Sequence, residues 1–230
     1  RGLPISVVST GIGTSNIDIV LNELDALKNI DLATGSVKTE VTPLTFLRLG
    51  TCGAVAEEVE VDDLVVSQFA LGVDAVLQFY QRNMSASEAA LLIQAQTVLA
   101  AHPVCSSLYA VEADETLAAA MGELGRGGIT LTCSGFYGPQ YRHLRVPLIE
   151  HDLFAYAKKI THAHCQVMNL EMETAMIYGL GRLLGHRCCS VSSVVYNRIT
   201  QAKTTNGLRS VDSMIERALS LLTREMLNKV

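Results

Sequence analysis

The sequence predicts an α/β fold, a mainly parallel or mixed central sheet covered by helices in three layers, α/β/α. Three observations carry this expectation. Short β-rich runs alternate with helical periodicities along the chain, two of the runs lead into glycine-rich turns, and no internal repeat, low-complexity stretch or composition shift divides the sequence. The 230 residues suffice for one substantial core and read as a single domain, 1–230.

Ile5–Thr10 reads as a first strand, Gly11-Ile12-Gly13 as a tight turn, and Ile17, Val20, Leu21, Leu24 and Leu27 as one face of a helix. Asn29–Pro43 is polar and reads as a loop. Phe46–Leu49 is the next strand, ending in a second glycine turn, Gly50-Thr51-Cys52-Gly53. Strands are expected at Leu64–Val66, near Val104–Val111, at Ile129–Thr132 and at Cys188–Val195. Between them, Ser85–Ala101 opens with a Ser-Ala-Ser-Glu capping box, and a helix carries Ala175, Met176, Leu180 and Leu183. The closing helix, Val211–Met226, places Met214, Ile215, Ala218, Leu221 and Leu222 on one face.

Hydrophobic residues make up 49% of the chain and charged residues 18%, which excludes disorder and leaves apolar surface for an oligomer to bury. The formal charge of −5 and scattered arginines give no footprint for nucleic acid or an anionic membrane. No apolar stretch reaches the ~20 residues a bilayer crossing needs. The six cysteines lie in apolar runs without regular spacing and read as reduced thiols of a cytoplasmic protein. Arg1-Gly2-Leu3-Pro4 runs straight into β-rich sequence with no initiator Met, so the chain reads as the body of a longer protein.

Four segments carry polar chemistry in apolar surroundings. Arg48-Leu49-Gly50-Thr51-Cys52-Gly53 places a guanidinium and a hydroxyl beside turn amides, a constellation suited to an oxyanion; an arginine paired with a carboxylate at a strand edge is the plainer alternative. Cys133–Arg142 combines Phe136, whose ring can stack on a heterocycle, with Gln140 and Arg142, which can reach its edge; an ordinary surface loop has the same composition. In Met168–Ala175, Glu171 and Glu173 share a face if the backbone is extended, and point about 200° apart if it is helical. Extended, they suit the vicinal hydroxyls of a sugar; helical, they complement the helix dipole. Asn197-Arg198 adds an amide and a cation at the end of a late strand. Gly11-Ile12-Gly13-Thr14-Ser15-Asn16 lacks the third glycine of a dinucleotide fingerprint, and His162-Ala163-His164-Cys165 has no second cluster to complete a zinc site. No metal is therefore expected.

Taken in order, Ser-Thr-Gly-Ile-Gly, Phe-Leu-Arg-Leu-Gly-Thr-Cys-Gly and Asn-Leu-Glu-Met-Glu resemble the nucleoside phosphorylase superfamily, and Phe136–Arg142 with Asn197-Arg198 resembles its uridine phosphorylase branch. The resemblance covers essentially the whole chain. It implies that Arg48 and Thr51 bind phosphate, that Met172 and Glu173 hold ribose with Glu171 nearby, and that Cys52 stands where a threonine is common. It implies that Phe136 and Gly53 face the base, that Gln140 and Arg142 bind the uracil edge, and that Arg198 supports that edge. Val195 falls where purine-cleaving members carry an aspartate. The implied reaction is reversible phosphorolysis of uridine, with deoxyuridine or thymidine as further substrates, and inorganic phosphate as co-substrate without a cofactor. A structural ion near Ile12 and Asn16 is left open. The family's Gly-Asp-Pro-Gly-Arg phosphate loop, and the arginine and histidine that a neighbouring subunit lends, would lie upstream of Arg1; the implied assembly is a homodimer, or an oligomer of dimers, with shared sites. A purine phosphorylase or nucleosidase of the same fold, or a non-catalytic nucleoside-binding relative, are the alternatives.

Overall fold

The computed structural model describes residues 4–227; the lead-in expectation for Arg1, Gly2 and Leu3 lies outside them. The elements in order are α1 (Thr14–Asn29), β1 (Ile30–Asp31), β2 (Ser36–Val37), β3 (Thr45–Ala54), β4 (Leu64–Gly72), α2 (Ala86–Val98), β5 (Tyr109–Glu112), α3 (Glu115–Met121), β6 (Arg126–Thr132), α4 (Leu153–Ala157), β7 (Thr161–His162), β8 (Cys165–Glu171), α5 (Thr174–Leu183), β9 (Arg187–Asn197) and α6 (Gly207–Leu227). The expected mixed central sheet is present: seven strands in the order β3-β9-β4-β6-β8-β7, with β5 beside β4. β3 runs parallel to β9, and β6 runs parallel to both β4 and β8. An antiparallel contact of Gly53 and Ala54 in β3 with Leu170 and Asn169 in β8 joins the two ends, so the central strands close into a ring.

Helices cover both faces because β9 alternates its side chains across the sheet. Cys188 packs with Ile17 and Leu21 of α1 and with Met176, Ile177 and Leu180 of α5, while Cys189 and Val191 pack with Leu117 and Met121 of α3 and Met214 and Ala218 of α6. Helices α2 and α4 bury Leu91, Ala95, Leu153 and Ala157 against Ile129, Leu131 and Val167. Inside the ring, Cys52, Ala54, Val65 and Val194 form a small separate core. The predicted capping box is made: the Ser85 hydroxyl accepts from Glu88 N–H at 3.0 Å, and the Glu88 carboxylate accepts from Ser85 N–H at 2.9 Å.

Four expectations need correction. Ile5–Thr10 forms no strand, and Val7 is 92% exposed. A strand is made by its neighbours as much as by its propensity, and the central ring closes without this one. Gly50–Gly53 is not a turn but the second half of β3, paired with β9 up to Ala54 through a bulge between Cys52 and Gly53. The Asn29–Pro43 loop contains a small hairpin, β1–β2, and the Asn29 side chain ties its far end down by accepting from Thr42 N–H at 2.8 Å. Near Val104–Val111 a 3₁₀ turn, Pro103–Ser107, comes first and β5 follows.

Candidate active site

Arg48 leaves β3 at the seam of the ring and lies flat along its own strand. A Cβ at Gly50 would come within 2.7–2.8 Å of its guanidinium atoms, so the glycine is what lets the group settle there. The guanidinium is gripped from two sides. Nη1 donates to Ser192 Oγ at 2.9 Å and more weakly to Ser190 Oγ at 3.4 Å, both on β9. Nη2 donates to Glu173 Oε2 at 2.8 Å and lies 3.1 Å from Glu171 Oε2. Burial alone would lower the Arg48 pKa, but the two carboxylates outweigh it and raise it above the ordinary value.

The two acids hold different posts. Glu171 closes β8 and is buried; its Oε2 accepts the N–H groups of Glu173 and Thr174 at 2.8 and 2.9 Å, and its Oε1 accepts the Thr132 hydroxyl at 2.6 Å. The same hydroxyl accepts Ala175 N–H at 2.9 Å, so Glu171 and Thr132 together satisfy the first amides of α5. Glu173 stands at the N-cap of α5 with φ −135° and ψ −34°, neither extended nor helical, and its side chain caps nothing there. Its Oε1 accepts Gly13 N–H at 2.7 Å. Gly13 holds φ +94°, a conformation that side chains rarely adopt, and that aims its amide across at the acid. The acids thus converge on Arg48 through an irregular backbone that neither the extended nor the helical expectation describes.

Beside Glu173 opens a cavity of about 480 Å³ lined by Ile12–Ser15, Val73–Val76, Ser107, Ser134 and Met172. Met172 therefore faces open space next to the acid. A second cleft, of about 460 Å³, holds Arg82, Glu88 and Arg182 at the other end of α5. Its Arg182 is already paired with Glu88 and Glu112, so it is set apart from this site.

The loop after β6 reaches this cavity at Ser134 and carries a cationic group further along. Tyr141 sits at φ +54°, and the Arg142 guanidinium that follows stacks on the Phe136 ring at 4.2 Å and donates to Gln140 Oε1 at 3.4 Å. Gln140 is buried, while Phe136 is half exposed. Arg198 leaves the end of β9, stacks on Phe154 at 4.6 Å and donates Nη2 to Tyr141 O at 3.4 Å. Its Nη1 is buried without a hydrogen-bond partner among the described residues. Burial first, then the charge of Arg142, lower the Arg198 pKa. Neither arginine forms an ion pair with a carboxylate among the described residues. Two cations, one with a free buried donor, are an arrangement prepared for negative charge.

Other predicted residues are placed differently. Thr51 is exposed, three residues along β3, and makes no hydrogen bond to the Arg48 cluster. Cys52 is buried with its thiol pushed up to about 12, chiefly by burial, against the opposing pull of Asn169 and Arg48; it packs inside the ring. Gly53 is at the seam, facing Leu170 and the Tyr196 carbonyl. Val195 is half-buried near the end of β9, and no acid replaces it there. Asn197 is structural: its amide donates to Ala56 O and Val59 O and its carbonyl accepts Ile199 and Thr200 N–H. Asn16 Nδ2 closes on Ile12 O at 2.7 Å. His162 bonds Ser87 Oγ at 2.8 Å, and no group of three metal-ligating side chains occurs among the described residues. Sequence reasoning missed Ser190, Ser192, Thr132 and the amide of Gly13; two hydroxyls at i and i+2 in an apolar strand were the visible signal for the first pair.

A closed mixed sheet with a buried arginine–carboxylate cluster at its seam, and a cationic loop following β6, belongs to the α/β enzymes that handle small polar ligands at strand ends. The family model described as "Phosphorylase superfamily" matches residues 1–228, and the chain belongs to that superfamily. It is 28% identical to "Uridine phosphorylase" of Thermococcus kodakarensis over 96% of this chain and 68% of the relative. It is also 28% identical to "Purine nucleoside phosphorylase DeoD-type" of Geobacillus kaustophilus, over 97% of this chain and 77% of the relative. Among solved structures it resembles a Trypanosoma brucei nucleoside phosphorylase, described as showing uridine phosphorylase activity, with a TM-score of 0.76 and 25% identity over 96% of this chain and 79% of that one. No helix among the described residues is long and apolar enough to cross a membrane.

Proposed function

We propose that the protein is a uridine phosphorylase, a pentosyltransferase that cleaves uridine with inorganic phosphate to uracil and ribose 1-phosphate. The observation that carries this reading is the pair Arg142 and Arg198 near buried Gln140: among the described residues they are cations without carboxylate partners, and one retains a buried donor with no partner there. A uracil leaving through N1 spreads negative charge onto its ring oxygens, and preorganised donors at that edge stabilise it. A purine leaving group gains instead from protonation, and Val195 offers no acid for that.

In this reading phosphate rests against Arg48 and attacks the anomeric carbon as the glycosidic bond lengthens. Glu173 and Met172 hold the sugar, Glu173 taking the vicinal hydroxyls and favouring the oxocarbenium-like character of the transition state. Glu171 keeps Arg48 and the start of α5 in place. No cofactor is needed. Ile12, largely exposed on the cavity's lining, and Phe79, largely exposed at the end of the 3₁₀ turn that starts at the lining residue Val76, are the apolar surface on which a second copy would close a shared site.

Absorbance assays with uridine, thymidine, inosine and adenosine, each with and without phosphate, test nucleophile and base together. Phosphate-dependent cleavage of uridine supports the reading. Cleavage without phosphate makes the protein a nucleosidase, preference for inosine or adenosine makes it a purine phosphorylase, and no cleavage at all leaves a binding protein. Arg142→Ala should lower uridine turnover by roughly 10²–10³-fold.

A further inference from the structure

We infer that Ser192, backed by Ser190, is a positioning residue for phosphate: it holds the Arg48 guanidinium at the anion's place once Glu173 turns to the sugar. This rests on reading Arg48 as the phosphate cation. Both serines are fully buried, and an unsatisfied hydroxyl in the core is costly, so their placement has to be explained by what they bond. In the register of the parallel pair, Arg48 lies beside Ser190 and Gly50 beside Ser192, so a guanidinium folded back over Gly50 lands beside the second serine. The 2.9 Å bond from Nη1 to Ser192 Oγ is the shorter contact, and Ser190 at 3.4 Å supports it.

Ser190 is itself anchored, and through β9 it fixes the strand that carries Ser192. Ser190 Oγ pairs with Thr174 Oγ1 at 2.9 Å, and Ser190 N–H donates to the Tyr178 hydroxyl at 2.8 Å, which donates to Ser67 O at 2.7 Å. The serine side of the fork is therefore tied to β4, β9 and α5. The other side is not equally fixed: Nη2 is bonded to Glu173 Oε2, the atom that a ribose diol would claim. When that bond yields, Ser192 and Glu171 are what keep the guanidinium flat on Gly50 with its remaining donors turned to the anion.

The test compares Ser192→Ala, Ser192→Cys and Ser192→Thr with wild type, using calorimetric titration with inorganic phosphate and steady-state kinetics in both substrates. Loss of the charge-assisted bond in the Ala variant should weaken phosphate about ten-fold, in Kd and in KM, with the uridine KM within two-fold of wild type. Cys, of nearly the same size but a weak acceptor, should behave like Ala even if Ala disturbs the fold, and Thr should restore phosphate binding. Phosphate affinity unchanged in Ala and Cys, or both substrates weakened equally, overturns the proposal. If wild type binds phosphate in a Ser192-dependent way but cleaves no nucleoside, the functional reading fails and the positioning role stands. If wild type binds no phosphate, both fail.

Discussion

Glu171 and Glu173 are two residues apart and both touch Arg48, yet their removal should have opposite consequences. Glu171→Ala strips a carboxylate whose side chain is 2% exposed and leaves the amides of Glu173 and Thr174, together with the Thr132 hydroxyl, without their acceptor. Each buried donor left unpaired costs about 1–3 kcal/mol, and Arg48 loses one of its two counter-charges, so the loss of stability should be at least about 3 kcal/mol. Glu173→Ala removes a more accessible group. It frees only the Gly13 amide, which sits partly exposed where water can replace the acceptor, and it leaves Arg48 with Glu171. Its stability cost should be about 1 kcal/mol, while turnover should fall by roughly 10²-fold or more if, as proposed, Glu173 anchors the sugar. Urea denaturation followed by circular dichroism, run beside phosphate-dependent turnover on the same preparations, separates the two effects. If Glu171→Ala is no less stable than Glu173→Ala, the division of labour drawn from the hydrogen bonds is wrong.

Gly50→Ala should displace Arg48, whose guanidinium would meet the new methyl at 2.7–2.8 Å, and should cost about 1–3 kcal/mol with a large rise in the phosphate KM; a variant with native melting and native phosphate kinetics would refute the flat seating. His186 is held neutral, its Nδ1 accepting Leu44 N–H at 3.1 Å and its Nε2 lying 3.2 Å from Asp25. Burial lowers its pKa, with Asp25 pulling the other way, so below pH ~6.5 the unfolded chain takes up a proton that the folded chain resists. Stability should therefore fall as pH drops from about 6.5 to the folded pKa, and chemical denaturation at stepped pH should show a shallower fall in His186→Gln. Native thiol titration at pH 8 should modify Cys105 readily, because burial raises Cys133, Cys165 and Cys188 and pushes Cys52 and Cys189 up to about 12; rapid modification of two or more thiols per folded chain would contradict this.

The parts legible in the sequence were those governed by local pattern. The Ser85 box, the faces of α1 and α6, and the apolar cores of β6 and β9 follow from periodicity and capping, which act over a few residues. Arg48, Glu171, Glu173, Gln140, Arg142 and Arg198 stood out because charge and carboxamide in apolar surroundings are conspicuous. What they bond was not legible. Gly50–Gly53 looked like a turn because glycine commonly marks one, whereas here the missing side chain makes room for a guanidinium two residues earlier. Glu171 looked like half of a sugar clamp, and only the three-dimensional proximity of Thr132, 39 positions away, shows it as the acceptor for a helix. Ile5–Thr10 had strand composition but finds no ladder to join, a fact set by how β3 meets β8.

That meeting has a further consequence for the life of the molecule. Arg48 and Glu173 are separated by 125 positions and are brought together where the first long strand meets the last but one. Contacts so distant along the chain are expected late in folding, because the loop they close must be ordered first. A copy that has collapsed but not joined its seam would carry every one of these side chains and still present no assembled cluster, so an incompletely folded molecule is silent rather than indiscriminate. Regain of turnover after dilution from denaturant would then time the final knitting of the ring, lagging the return of helical signal.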